Sequence, residues 1–158
     1  MATDQSVREH LIDLLEGGNA HTDFEGAVSG LSSEMRGAKA DNFPYTIWEL
    51  VEHLRMAQHD IVEFSRNPEY ESPSWPEGYW PESEKPADEQ QWKESLQAVR
   101  RDHRDMIDMV SDSDLDLFQP FPHGTGQTLM REAMLVADHN AYHIGQIILL
   151  RKLLGVWK

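Results

Sequence analysis

Two histidines, His139 and His143, stand four residues apart in the stretch Ala137-Asp138-His139-Asn140-Ala141-Tyr142-His143-Ile144-Gly145-Gln146, inside the apolar run from Met134 to Leu154. On a helix, four residues turn the chain by about 400° and the side chains lean the same way, so the two imidazoles share one face. Such a pair is a ready-made set of nitrogen ligands for a metal ion. Gln146, seven residues after His139, returns to nearly the same azimuth and lengthens this polar stripe. Imidazoles withdrawn from water cost about 1–3 kcal/mol per unpaired group unless they are hydrogen-bonded or bound to a metal. The stripe therefore needs partners from elsewhere in the chain. The spacing by itself leaves those partners open, because His-x-x-x-His also arises by chance in helices.

Composition narrows what can complete the site. The chain has no cysteine, which removes a thiolate metal site, a disulfide framework and a cysteine nucleophile together. Any metal must be held by nitrogen and oxygen. The 28 acidic residues against 14 basic ones give a formal charge of −14, which opposes phosphate backbones and anionic membranes, so neither nucleic acid nor membrane is expected as a partner. The first residues, Met1 to Ser6, carry no basic region followed by an apolar core, and the expected location is cytoplasmic. At 158 residues the chain reads as one domain, 1–158, able to bury roughly two-thirds of its unfolded surface.

Four main helical segments are expected to position the histidines. Val7, Leu11, Leu14 and Leu15 recur at helical spacing, predicting a first helix over Asp4 to Glu16 that Gly17-Gly18 ends. Thr22-Asp23-Phe24-Glu25 has the pattern of a capping box with Thr22 as the cap, predicting a short helix to about Leu31. Thr46-Ile47-Trp48-Glu49 is a second capping box, opening the second main helix, Thr46 to about Arg66. Its buried face comprises Ile47, Leu50, Val51, Leu54, Ile61 and Phe64. His53 lies near the edge of that face and, taken alone, reads as a partly exposed histidine at the rim of a core.

Five prolines and four aromatics between Asn67 and Pro86 predict a long crossing loop without regular structure, packed as cover over part of the domain, with a substrate lid as the lesser reading. Asp88 caps the third main helix, which runs to about Val110 with Trp92, Leu96, Val99, Met106 and Ile107 at helical spacing. His103, with Arg100, Arg101 and Arg104, reads as a solvated face. A second loop, Leu117 to Gly126, leads to Thr128 as cap of the last helix, which ends near Leu154. The fold class expected is therefore all-α, a four-helix bundle with a long crossover between helices 2 and 3. Facing helices of such a bundle can bring His53 to the His139/His143 pair, and three histidines with open positions would make a reactive metal centre and not a closed structural one. A di-iron bundle is excluded because Val136 stands where the last helix would need a glutamate three residues before His139.

The chain resembles the DinB-like (YfiT-like) family of metalloproteins over nearly its whole length. The resemblance is carried by Thr46-Ile47-Trp48-Glu49-Leu50-Val51-Glu52-His53-Leu54, by the long connection after the second main helix, and by His139-Asn140-Ala141-Tyr142-His143-Ile144-Gly145-Gln146. It implies one divalent metal, zinc or nickel, on His53, His139 and His143, with positions left for water. It also implies homodimerisation through helical faces, a small-molecule substrate, and chemistry that in part of the family is transfer or isomerisation with low-molecular-weight thiols. An ion on three neutral imidazoles keeps its full charge, and so lowers the pKa of a bound water to about 7 or holds a thiolate ready to attack. With no cysteine of its own, a transferase of this kind needs a thiol cosubstrate. S-transfer is the leading expectation, and metal-dependent hydrolysis is the alternative. A non-catalytic, stress-related metal-binding or interaction module is the alternative of another class. His59 faces elsewhere, being about 240° round the helix from His53. Asp60 shares the His53 face and could orient a ligand or take a proton from bound water, although an exposed carboxylate is the plainer reading. His123 could approach the metal from its loop, and a hydrogen bond to backbone is the plainer reading for it, as for His10 and His21.

Overall fold

In the computed structural model, residues 2–157 are described. They form six helices: α1 (Ala2–Glu16), α2 (Phe24–Val28), α3 (Ser33–Arg36), α4 (Ile47–Arg66), α5 (Glu89–Ser111) and α6 (Leu129–Leu153), with a 3-10 turn at Glu77–Tyr79 inside the crossover. The four long helices make the bundle. α4 packs against both α5 and α6, and α1 packs against the same two, so α1 and α4 occupy opposite corners. Among the described residues the only β feature is an isolated antiparallel bridge between Pro120 and Thr128. Among the described residues no helix is long and apolar enough to cross a membrane.

The helix starts follow from local chemistry. Thr46 Oγ1 accepts from the Glu49 amide at 3.1 Å while Glu49 Oε2 accepts from the Thr46 amide at 2.7 Å, a reciprocal box that satisfies two otherwise orphaned donors. Asp88 caps α5 through the Gln91 amide, and Thr128 caps α6 through the Arg131 amide. The expected Thr22 cap is corrected by one residue. Asp23 accepts from the Gly26 amide at 2.8 Å, its carboxylate being the stronger acceptor of two adjacent candidates. The expected short helix to Leu31 is also two pieces, because Ser29 turns extended after one turn and Ser32 starts α3 with its own cap.

The interior has two apolar clusters. One joins Trp48, Leu50, Val51 and Leu54 of α4 to Trp92 and Leu96 of α5 and to Ile147 and Leu150 of α6. The other joins Leu11 and Leu15 to Ile61, Val62, Met106, Val110 and Val136. Phe64, expected on the buried face, is only half-buried, packing edge-on to Phe121 and His123 of the second loop. On α4, fully buried Gln58 lies between the residues of the two clusters and donates to the Val99 carbonyl at 2.7 Å. Asn140 Nδ2 donates to Gln58 Oε1, also at 2.7 Å. This polar layer ties α4 to α5 and α6 at once.

Two arginines fasten helix ends. Arg8 of α1 is buried and donates to the carbonyls of Val110, Asp112 and Leu115 at 2.7, 2.9 and 2.6 Å, with Asp4 beside it. These are carbonyls at and just past the end of α5, some of which have no partner within that helix. Arg151 does the same for Ala27 at the end of α2. Replacing Arg8 with alanine removes a buried charge-assisted anchor and strands those acceptors. The unfolding free energy measured by urea denaturation should fall by about 3 kcal/mol.

Candidate metal centre

The site forms where the first half of α4 faces the middle of α6. Trp48, Leu50, Val51 and Leu54 bind α4 into the core, and this fixes the azimuth at which His53 leaves the helix. On α6, Val136, Ala137, Ile144 and Ile147 are buried on the core side, leaving His139 and His143 turned toward α4. His53 Nε2 and His139 Nε2 come within 3.2 Å. The ring centroids are 5.0 Å apart for His53 and His139, 4.5 Å for His53 and His143, and 4.4 Å for His139 and His143. Ligand atoms of all three rings lie within 4.8 Å of one another, and no other group of three histidine or carboxylate side chains among the described residues has this geometry.

Hydrogen bonds decide which nitrogens face inward. His53 Nδ1 donates to the Tyr79 carbonyl at 2.7 Å, an acceptor only, so in the neutral ring the lone pair is on Nε2. His143 Nδ1 donates to Gln146 Oε1 at 2.7 Å, and its lone pair is likewise on Nε2. Gln146 thus serves the polar stripe as expected. His139 Nδ1 is buried and has no partner. The three rings are neutral around neutral pH. Burial, and then the neighbouring rings of His143 and His53, push His139 down to about 4. Burial, and then His53, push His143 down to about 4 against the raising effect of Gln146. Burial lowers His53, with the Tyr79 carbonyl opposing.

These features fit a divalent ion. His53 Nε2, which carries a lone pair, and His139 Nε2 stand 3.2 Å apart, a separation that a shared proton or a cation between them can hold. Metal–nitrogen bonds of about 2.0–2.1 Å in a tetrahedral arrangement separate ligand nitrogens by about 3.3–3.4 Å. The donor set is three nitrogens with no protein carboxylate, which leaves coordination positions for small molecules.

His53 is 5% exposed, which corrects the reading of it as a rim histidine. The crossover covers it. Trp80 stacks on its ring at a centroid distance of 4.0 Å and 7° between planes, and Tyr45 backs Trp80 at 4.4 Å. The loop is therefore a wall of the site as well as cover, and its 3-10 turn corrects the expectation of no regular structure. Trp75 is out in solvent at 73% exposure. Asp60 is not the exposed carboxylate of the plainer reading: it is half-buried, Oδ2 accepts from the Tyr79 hydroxyl at 2.8 Å, and Oδ1 is buried without a partner. Nothing in the periodicity of a proline-rich loop marked Tyr79 or Trp80 for these contacts. The density of aromatics there was the signal available.

The remaining histidines stay outside the cluster. His123 Nε2 donates to the Phe64 carbonyl at 2.8 Å, and His21 is bonded to the Thr22 carbonyl. His59 turns away to Asp102 Oδ2 at 2.9 Å, and His10 is exposed. Arg101 and Arg104 are exposed on the solvated face expected around His103, and His103 itself stays outside the cluster. It is half-buried and bonded to the Leu15 carbonyl at 2.9 Å, and Arg100 beside it holds Glu25 with two bonds.

A family model described as the DinB superfamily matches residues 6–147, a span that contains all three histidines. No curated protein and no solved structure matches the chain.

Folded pKa values near 4 against about 6.5 for free imidazole carry a sign. Between those limits the unfolded chain takes up protons that the folded rings refuse. In the presence of a chelator, stability should therefore be lost as the pH falls from 6.5 toward 4, with no dependence from these rings above that window. Histidine ring NMR titration should give midpoints near 4 for His139 and His143, and a midpoint above 6 for either ring would contradict the assigned environment.

Proposed function

The chain belongs to the DinB superfamily, and we propose that it is a metal-dependent enzyme acting on a small molecule, with His53, His139 and His143 holding one divalent ion, zinc or nickel, for thiol-dependent S-transfer. The observation that carries this reading is the convergence of three neutral imidazoles on one point, two of them with Nδ1–H already committed outward. An ion held there supplies Lewis acidity, which favours the thiolate over the thiol, or hydroxide over water, at neutral pH.

The protein's part is binding, orientation and exclusion of water. Three uncharged ligands leave the ion's charge undiminished, as a carboxylate ligand would not. Trp80 closes one face of His53. On the other side Tyr142 is 63% exposed with its ring edge-on to His143 at 4.9 Å, and this open, aromatic flank is where a substrate would approach. The chain offers no cysteine, so the nucleophilic sulfur enters with a low-molecular-weight thiol. Its proton leaves to solvent on the open side as sulfur bonds to an electrophilic carbon and the leaving group takes the electron pair. Pairing of two copies belongs to the same proposal.

Protein purified without a histidine tag should carry about one metal per chain by plasma mass spectrometry, and His53→Ala and His143→Ala should each reduce this to below about 0.1. Screening the loaded protein with thiols and electrophiles should then give thioether products that depend on both. Turnover without any thiol would replace transfer with hydrolysis. A wild type that stays metal-free after incubation with zinc, nickel and manganese would overturn the metal reading in favour of a non-catalytic interaction module.

A further inference from the structure

We propose that Asp60 and Tyr79 are positioning residues for the histidine cluster, fixing His53 through a bridge that leaves α4, crosses to the loop and returns; this rests on the three-histidine metal reading. Asp60 lies seven residues after His53, so it has nearly the same azimuth and sits about 10 Å further along the helix. Tyr79 spans that interval. Its hydroxyl donates to Asp60 Oδ2 at 2.8 Å, and its carbonyl accepts from His53 Nδ1 at 2.7 Å. The residue is buried, at 8% exposure, with the bond to His53 fully sheltered from competing water and the bond to Asp60 partly so.

The bridge does more than attach a loop. A neutral imidazole can carry its proton on either nitrogen, and an acceptor held at Nδ1 favours the form whose lone pair is on Nε2. The acceptor is a backbone carbonyl of an irregular segment, so its position is only as firm as the segment's anchors. Next to it, Trp80 lies flat on the His53 ring and resists tilting, but a stacked ring slides in its own plane. The hydroxyl bond to Asp60 is what stops that slide, because it ties the same residue to the helix that carries His53. Burial, and then Asp60, raise the Tyr79 hydroxyl to about 12, so it remains a donor at any working pH. The carboxylate, for its part, has Oδ1 buried without a partner. The Tyr70 hydroxyl also lies against this carboxylate, and burial and then Asp60 raise it to about 12. Outer partners of metal-ligating histidines commonly change metal affinity by about 10–100-fold when removed.

The test compares Tyr79→Phe, Asp60→Ala and Asp60→Asn with the wild type, using cobalt(II) as the probe. Two quantities are read: the affinity and visible absorption spectrum with cobalt, and the His53 tautomer in metal-free protein by long-range nitrogen–proton NMR. The wild type should show His53 protonated at Nδ1 alone. Tyr79→Phe and Asp60→Ala should each give a tautomer mixture, weaken cobalt binding by about 10–100-fold and shift the absorption bands. Asp60→Asn keeps a carbonyl acceptor for the hydroxyl and should stay within about threefold of the wild type in affinity. A loop anchor without a positioning role would lower the melting temperature of Tyr79→Phe and leave tautomer and spectrum unchanged, which would overturn the proposal. So would an Asp60→Asn variant as weak as Asp60→Ala, since charge would then be the active property. If the wild type binds no cobalt, the metal reading fails, and the tautomer measurement still decides whether the bridge fixes His53.

Discussion

Three imidazoles withdrawn from water are turned toward one another, and two of them, His53 and His143, are held by what binds their outward nitrogens. A neutral ring has one lone pair, and the hydrogen bond at the other nitrogen determines where that pair is offered. For His53 that bond goes to a loop carbonyl, and for His143 to a glutamine one turn further along the same helix. The two solutions differ in what they demand of the fold. His143 needs only that α6 be a helix. His53 needs the crossover to come back across α4 at one height, and this gives the long, proline-punctuated connection a structural reason.

That demand accounts for how the chain spends its polar groups. The N-terminal end of α4 is fixed by the Thr46–Glu49 box, and the same Thr46 hydroxyl donates to the Glu84 carbonyl at 2.8 Å while Trp48 Nε1 donates to Ser83 at 3.2 Å. The far end of the crossover is thus pinned beside the helix start, as its middle is pinned by Tyr79. The chain has 14 basic residues against 28 acidic ones, and Arg8, Arg36 and Arg151 are buried against backbone carbonyls. Two of these also pair with partly exposed carboxylates, Arg8 with Asp4 and Arg36 with Glu89, so each joins a buried backbone contact to a charge at the surface.

What could be read from residues was whatever obeyed a local period or a local cap. Thr46 with Glu49, the heptad from His139 to Gln146, and the apolar stripes of α4 and α5 each announce themselves within a few residues, and the four long helices follow. Thr22 and Asp23 are adjacent, and the choice between them depended on acceptor strength and not on pattern. His53 reads as a rim residue on its own helix because what buries it comes from residues 79 and 80, which no periodicity connects to residue 53. Asp60 was visible as sharing the histidine face, whereas its partner was not, since a tyrosine in an irregular segment gives no sign of which helix its hydroxyl will reach.

The Gln58–Asn140 contact has a consequence for how the helices find their alignment. Leucine, valine and isoleucine surfaces are forgiving: two helices that slide past each other by one turn exchange one aliphatic contact for another at small cost. An amide pair has no such freedom, because Gln58 gives its protons to Val99 and takes one from Asn140, and a slip of one turn would bury both amides against hydrocarbon. Asn140 is also the residue next to His139. The contact therefore works like a vernier mark between the helices, and a packing that makes the Gln58–Asn140 bond also sets His139 at the height of His53.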